Sequence, residues 1–285
     1  MENRKYQNNN GQIGGSARSL HDRVHENGPP QSKAIIACCW IALAATIACN
    51  ALFESMKLGG VTSAEVSNEV FAWFAPAGYV FAIWGVIYAA LVVWMISTTV
   101  RARTRQVITA REGLLFCASC ALNIGWLVAF HYRLIGLSLA LITLLWIALL
   151  FLYSSFWKRG EPLWTRVPFS LYFGWLTVAV CANAAHLVAR WPEIPLIASE
   201  LSTVIIVVGL IITAFAMARL QNDLVFPLVV LWAAVGVGVR LLPIDHVVAL
   251  TLFALSAAGA LAIYLPALFE KMRPRRAGAE PFASE

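Results

Sequence analysis

Charge is scarce in this chain, and it is missing where coupled transport would need it. Only 13% of the 285 residues are Asp, Glu, Lys or Arg, and Glu54, Arg190, Arg219, Asp223 and Arg240, with His131 and His186, all fall near the ends of apolar blocks. Proton- and ion-coupled carriers place such groups at mid-membrane depth, so the pattern argues against ion-coupled transport. It also argues against hydrolysis by a buried carboxylate pair or a Ser/His/Asp set. Six cysteines (Cys38, Cys39, Cys49, Cys117, Cys120, Cys181) lie in apolar segments. Cys117 and Cys120 form a CxxC, but no second pair and no nearby histidine completes a zinc set, so the cysteines read as small packing residues and no metal site is expected. No small-residue cleavage pattern is clearly placed behind the first apolar block, which reads as a span and not a signal peptide. No internal repeat is visible, and an inverted-repeat transporter gains no support.

What is present is apolar: 60% of the chain, in long uninterrupted blocks, with 11 Trp and 15 Phe. The expected fold is an all-α integral membrane protein. At about 20 apolar residues per crossing, transmembrane helices fall at residues 34–54, 78–98, 112–130, 134–156, 167–189, 201–219, 224–242 and 247–268, eight in all. Residues 1–33 are polar and aperiodic, a disordered tail. Seventeen Lys/Arg lie in the two tails and the even-numbered loops, against only Lys57, Arg133, Arg190 and Arg240 on the opposite side. The positive-inside bias puts both termini in the cytoplasm. The formal charge of +6 is therefore topological, with no face for nucleic acid. The basic tail at 271–285, through Lys271, Arg273, Arg275 and Arg276, is an anchor for membrane lipid headgroups.

Helices alternate in direction, so positions compare by depth at ~1.5 Å per residue. Trp84, Asn123 and Asn183 then share a layer roughly 10 Å below the outer surface, with Trp126 and Asn50 slightly shallower. Asparagine is costly toward lipid, so these amides face the interior, either as interhelical glue or as orienting groups in an aromatic ligand pocket. The first external loop, residues 55–77, carries Glu65 and Glu69 and reads either as a solvated loop or as a cap. Trp73 to Phe81 reads as an interfacial aromatic rim. His131 and His186 are candidate axial ligands for a haem-like metal, or boundary hydrogen-bonders. Gly236 and Gly238 permit close packing, Pro168 and Pro227 fit first turns of their helices, and Pro266 is expected to bend or end the last.

Three patterns now bear on identity. They are Leu122-Asn123-x-x-Trp126 with Phe130; Tyr172-x-x-Trp175-x-x-x-Ala179-x-x-x-Asn183; and Pro76-x-x-Tyr79-Val80-Phe81 followed by Trp84-x-x-x-Tyr88. Together they resemble the tryptophan-rich sensory protein or translocator protein (TspO/MBR, peripheral benzodiazepine receptor-like) family. The third departs from the family's pattern: Ala77 replaces a second proline, Tyr79 replaces a tryptophan, and the two halves stand one residue closer. The resemblance covers 34–189, a five-helix bundle. The three additional helices in 190–270 resemble a longer bacterial branch.

The resemblance implies a pocket for porphyrin or haem, or for sterol- and benzodiazepine-like molecules, with Trp84, Tyr88, Asn123, Trp126, Tyr172, Trp175 and Asn183 at its motif positions. The leading expectation is a membrane sensor or receptor for a hydrophobic planar small molecule, with a homodimer left open. An uncoupled permease, a light-dependent porphyrin-degrading protein and a ligand-free packing scaffold stay open beside it. No catalytic residues are identified.

Overall fold

The computed structural model describes residues 32–104, 106–190 and 196–272. The expected tails up to residue 31 and beyond 272 lie outside the described residues. All eight expected spans are present: α1 (Lys33–Ser55), α3 (Ile83–Arg101), α4 (Ala110–His131), α5 (Ile135–Lys158), α6 (Leu163–Val188), α7 (Leu196–Gln221), α8 (Val225–Leu241) and α9 (His246–Met272), with a short α2 (Ser63–Glu69) in the loop after α1. A 3-10 turn, Gly78–Ala82, leads into α3. Among the described residues seven helices are long and apolar enough to cross a bilayer, while α8 has 17 residues. At 1.5 Å per residue α8 is about 25 Å long, short of the ~30 Å hydrocarbon core.

Between apolar helices in lipid the hydrophobic effect adds little, and association rests on close packing and interhelical hydrogen bonds. The sequence supplies both. Gly113 of α4 lies against Ile35 of α1, and Gly174 of α6 against the backbone of Phe226 in α8. A single apolar core runs from Ile36 in α1 to Ile263 in α9. α8 packs along α6 and touches the 3-10 turn before α3, so the last three helices continue the bundle.

Two buried carboxylates tie the end away from α2. Glu112 closes a capping box with Thr109 at the start of α4 and takes the Ser155 hydroxyl (2.5 Å) and the Arg159 guanidinium (3.2 Å). Asp223 accepts from the Val225 and Phe226 amides (2.9 and 3.1 Å) and from the Tyr153 and Ser170 hydroxyls (2.9 and 2.6 Å). It therefore starts α8 and joins it to α5 and α6.

Three expectations need correction. Pro168 lies inside α6, not in its first turn, because the helix begins at Leu163. Pro266 does not end α9, which runs on to Met272. The stretch Trp73 to Phe81 is not mainly an interfacial rim: Trp73, Phe74, Ala75 and Val80 are buried in the protein, and of its large side chains only Tyr79 is well exposed. Of the cysteines, Cys39 and Cys120 are buried as packing residues, whereas Cys38 is exposed on the apolar outside of the bundle.

Candidate ligand-binding site

The segment between α1 and α3 folds back over one end of the bundle as a cap. Thr62 and Glu65 form a capping box at the start of α2, and Glu54 accepts from the Ser63 amide (3.1 Å) and hydroxyl. Those bonds satisfy amides that a helix start leaves orphaned. Lys57 donates to Glu65 (2.7 Å), which with the Thr62 amide holds that carboxyl below the usual carboxylate range. Arg133, in the turn between α4 and α5, grips Glu69 at 2.5 Å and donates to the Gly59 carbonyl at 3.1 Å. The Glu69 carboxylate raises the Arg133 guanidinium further. Gly59 has φ +69°, and a Cβ there would stand 2.8 Å from the His131 carbonyl oxygen, so the approach requires glycine. From α8, Arg240 donates to Asn68 (3.1 Å) and to the Ala72 carbonyl (2.6 Å).

Beneath the cap, Trp84 is the centre of an aromatic cluster. Tyr88 stacks on it one turn along α3 (5.6 Å between centroids, 22°), and Trp126 of α4 leans against it (5.7 Å). Tyr172 and Trp175 of α6 meet it edge-on at 5.7 and 6.2 Å. Such offset and edge geometries suit the ring quadrupoles.

Asn123 stitches the layer below. Its Oδ1 accepts from the Asn50 amide (3.2 Å) and the Tyr88 hydroxyl (3.3 Å), and its Nδ2 donates to the Tyr172 oxygen (3.0 Å). One amide thus joins α1, α3, α4 and α6. Asn183 stands apart from this hub and accepts from the Ser138 hydroxyl of α5 (3.1 Å).

Between cap and cluster opens a cleft with about 30 Å3 of usable space. That is room for a water molecule or two. Of the seven sequence-derived positions, Trp126, Trp175 and Asn183 line the cleft. Trp84 backs it through its contacts with both tryptophans, while Tyr88, Asn123 and Tyr172 form the floor. Asn123 is thereby occupied as glue.

Other lining residues come from the cap (Ser67, Pro76), from the 3-10 turn (Phe81) and from the last turns of α4 and α6 (Phe130, His186). A spacing signal marked His186, although its place near a helix end reads as a boundary: it follows Trp175 by eleven residues and Asn183 by three, on the same stripe of α6. His131 is elsewhere, its Nδ1 donating to the Leu127 carbonyl (2.9 Å) and its Nε2 lying 3.7 Å from Glu54.

A tetrapyrrole does not fit this cleft as it stands. The usable space is too small for the macrocycle, and among the described residues no Lys or Arg lines it to meet the carboxylates of protoporphyrin or haem.

The fold and the cleft define a multi-pass helical membrane protein with a capped aromatic cleft in one half of its bundle. The chain belongs to the TSPO-like protein family, whose sequence model matches residues 35–265, through all eight spans. Among curated proteins and among solved structures, none matches it.

Proposed function

We propose that this protein is a membrane receptor or sensor that binds a hydrophobic planar small molecule in the capped cleft. The observation that carries this reading is the wall itself. Trp126, Trp175, Phe81 and Phe130 present flat apolar surface around one opening, and Trp84 braces both tryptophans from behind. Below it the Asn50–Asn123–Tyr88–Tyr172 hub and the Trp94, Phe116 and Phe169 rings close the bundle, which favours binding over passage. By the positive-inside bias the cap faces away from the cytoplasm of a bacterial inner membrane.

The test is titration of the purified protein in nanodiscs with a panel of sterols, tetrapyrroles and smaller planar aromatics. The expected result is saturable quenching of tryptophan fluorescence that weakens in Trp126→Ala. A panel with no saturable member, or a Trp126→Ala response equal to wild type, would defeat the reading. In proteoliposomes the same ligand should bind without flux.

A further inference from the structure

Resting on that reading of the cleft, we infer that its ligand is uncharged and that His186 receives the ligand's polar end. Among the described residues neither ring nitrogen of His186 has a hydrogen-bond partner, although the side chain is only 3% exposed. The indole nitrogens of Trp126 and Trp175, residues 4% and 2% exposed, are unpartnered too. All three side chains line the one cleft. Buried polar groups without partners are costly, and several converging on one opening mark the place where partners arrive from outside the chain. Trp94 also has an unpartnered indole nitrogen, but it is walled by Phe116, Phe156 and Phe169 and does not line the cleft.

The types of group define the partner. Two indoles offer only donors, and a neutral imidazole offers one donor and one acceptor. The complement is a ligand rich in acceptor oxygens, of carbonyl, ether or ester type, with at most one hydroxyl to return a proton to the imidazole.

Charge sets the second condition. Among the described residues no Asp, Glu, Lys or Arg lines the cleft. The ions at its mouth are engaged: Glu69 by Arg133, and Arg240 by Asn68 and the Ala72 carbonyl. Arg190, one turn beyond His186, is exposed and does not line the cleft. A carboxylate seated here would be buried without a counter-ion, which a low-dielectric site disfavours strongly. Neutral acceptor-bearing ligands are admitted and their acidic counterparts rejected.

The experiment compares matched pairs by tryptophan quenching in zwitterionic nanodiscs, with partition into empty nanodiscs subtracted. The pairs are a 3-keto steroid against its hemisuccinate, and methyl 2-naphthoate against 2-naphthoate. The neutral member of a pair should bind at least about tenfold more tightly, and His186→Phe should weaken that member about tenfold. His186→Gln, which restores a donor and an acceptor, should stay within about threefold of wild type. Saturable binding with the acid equal or tighter would overturn the inference while leaving the receptor reading intact. So would His186→Phe binding as wild type does, since water would then satisfy the ring, or equal losses in both monodisperse variants, since ring shape would then be the cause. Silence from all four test ligands would remove the inference together with the reading on which it rests.

Discussion

At the scale of single residues, Asn123 ties α4 to three other helices, α1, α3 and α6, through one side chain. Replacing it with alanine strips partners from the Asn50 amide and from the Tyr88 and Tyr172 hydroxyls at once. Interhelical hydrogen bonds in membranes average about 0.6 kcal/mol, with a maximum near 1.7. Asn123→Ala should therefore cost about 1–2 kcal/mol, read as a lower melting temperature in detergent. Asn183→Ala strands only the Ser138 hydroxyl, which also donates to its own helix at Ile135, and should cost less. Reversal of that order would show that the hub is not the principal polar tie. Depth counting along alternating helices makes the amide and tryptophan layer legible, because asparagine in an apolar block has few places to go. It does not separate hub from wall. Asn123 and Asn183 share a depth, yet one is enclosed by hydroxyls and the other borders the cleft, a difference set by helix rotation. His186 was obscured for a related reason: near a helix end a histidine looks like a boundary residue, and only the cap folding over it makes it buried.

At the scale of elements, the cap and the start of α3 are held by contacts across long sequence distances. The Ala77 amide donates to the Gly236 carbonyl of α8 (3.0 Å), and a Cβ on Gly236 would stand 2.3 Å from Val80 Cγ2. Val80 is buried and β-branched, so it cannot swing aside freely. Gly236→Ala should cost about 1–3 kcal/mol as an overpacking change. Val80→Ala in the same chain should recover a large part of that, a coupling readable by a double-mutant cycle. Additive losses would mean that the two helices do not meet here.

The cap should respond to acid through Glu65. Its carboxyl is held below the ordinary range, chiefly by the Lys57 hydrogen bond, so the clip is fully present above that range and is lost as pH falls through the lowered value. Hydrogen exchange of the α2 amides, corrected for intrinsic rates, should rise there in wild type and be fast at all pH values in Lys57→Ala. A flat profile in wild type would show that other ties suffice. Loop length and two acidic residues left a solvated loop and a cap both open, and the tertiary partners Arg133 and Arg240 could not be inferred from the loop itself.

At the scale of the whole molecule, the question is what α7, α8 and α9 contribute. Eight spans, their order and their ends within a few residues were readable from apolar block length, because lipid forces each crossing to hide its backbone in a helix. How the last three helices join the first five was not, since periodicity says nothing about which helix faces which. The structure ties α8 into the bundle at both ends: Asp223 binds Tyr153 and Ser170 at one, and Gly236 and Arg240 hold the 3-10 turn and the cap at the other. The two substitutions in the third motif, Ala77 and Tyr79, both lie against this helix, the first through Gly236 and the second edge-on to Trp232 at 5.3 Å. The departures from the family pattern are therefore where α8 packs. A chain ended after residue 190 would expose Gly174, Val80 and the unclamped cap to lipid, and it should give little monodisperse protein and no ligand-induced quenching. Co-expressing residues 191–285 as a separate span-containing fragment should restore both, because the joining contacts are noncovalent and the break falls between helices. A truncated chain that binds ligand like wild type would instead make α7 to α9 dispensable for the cleft.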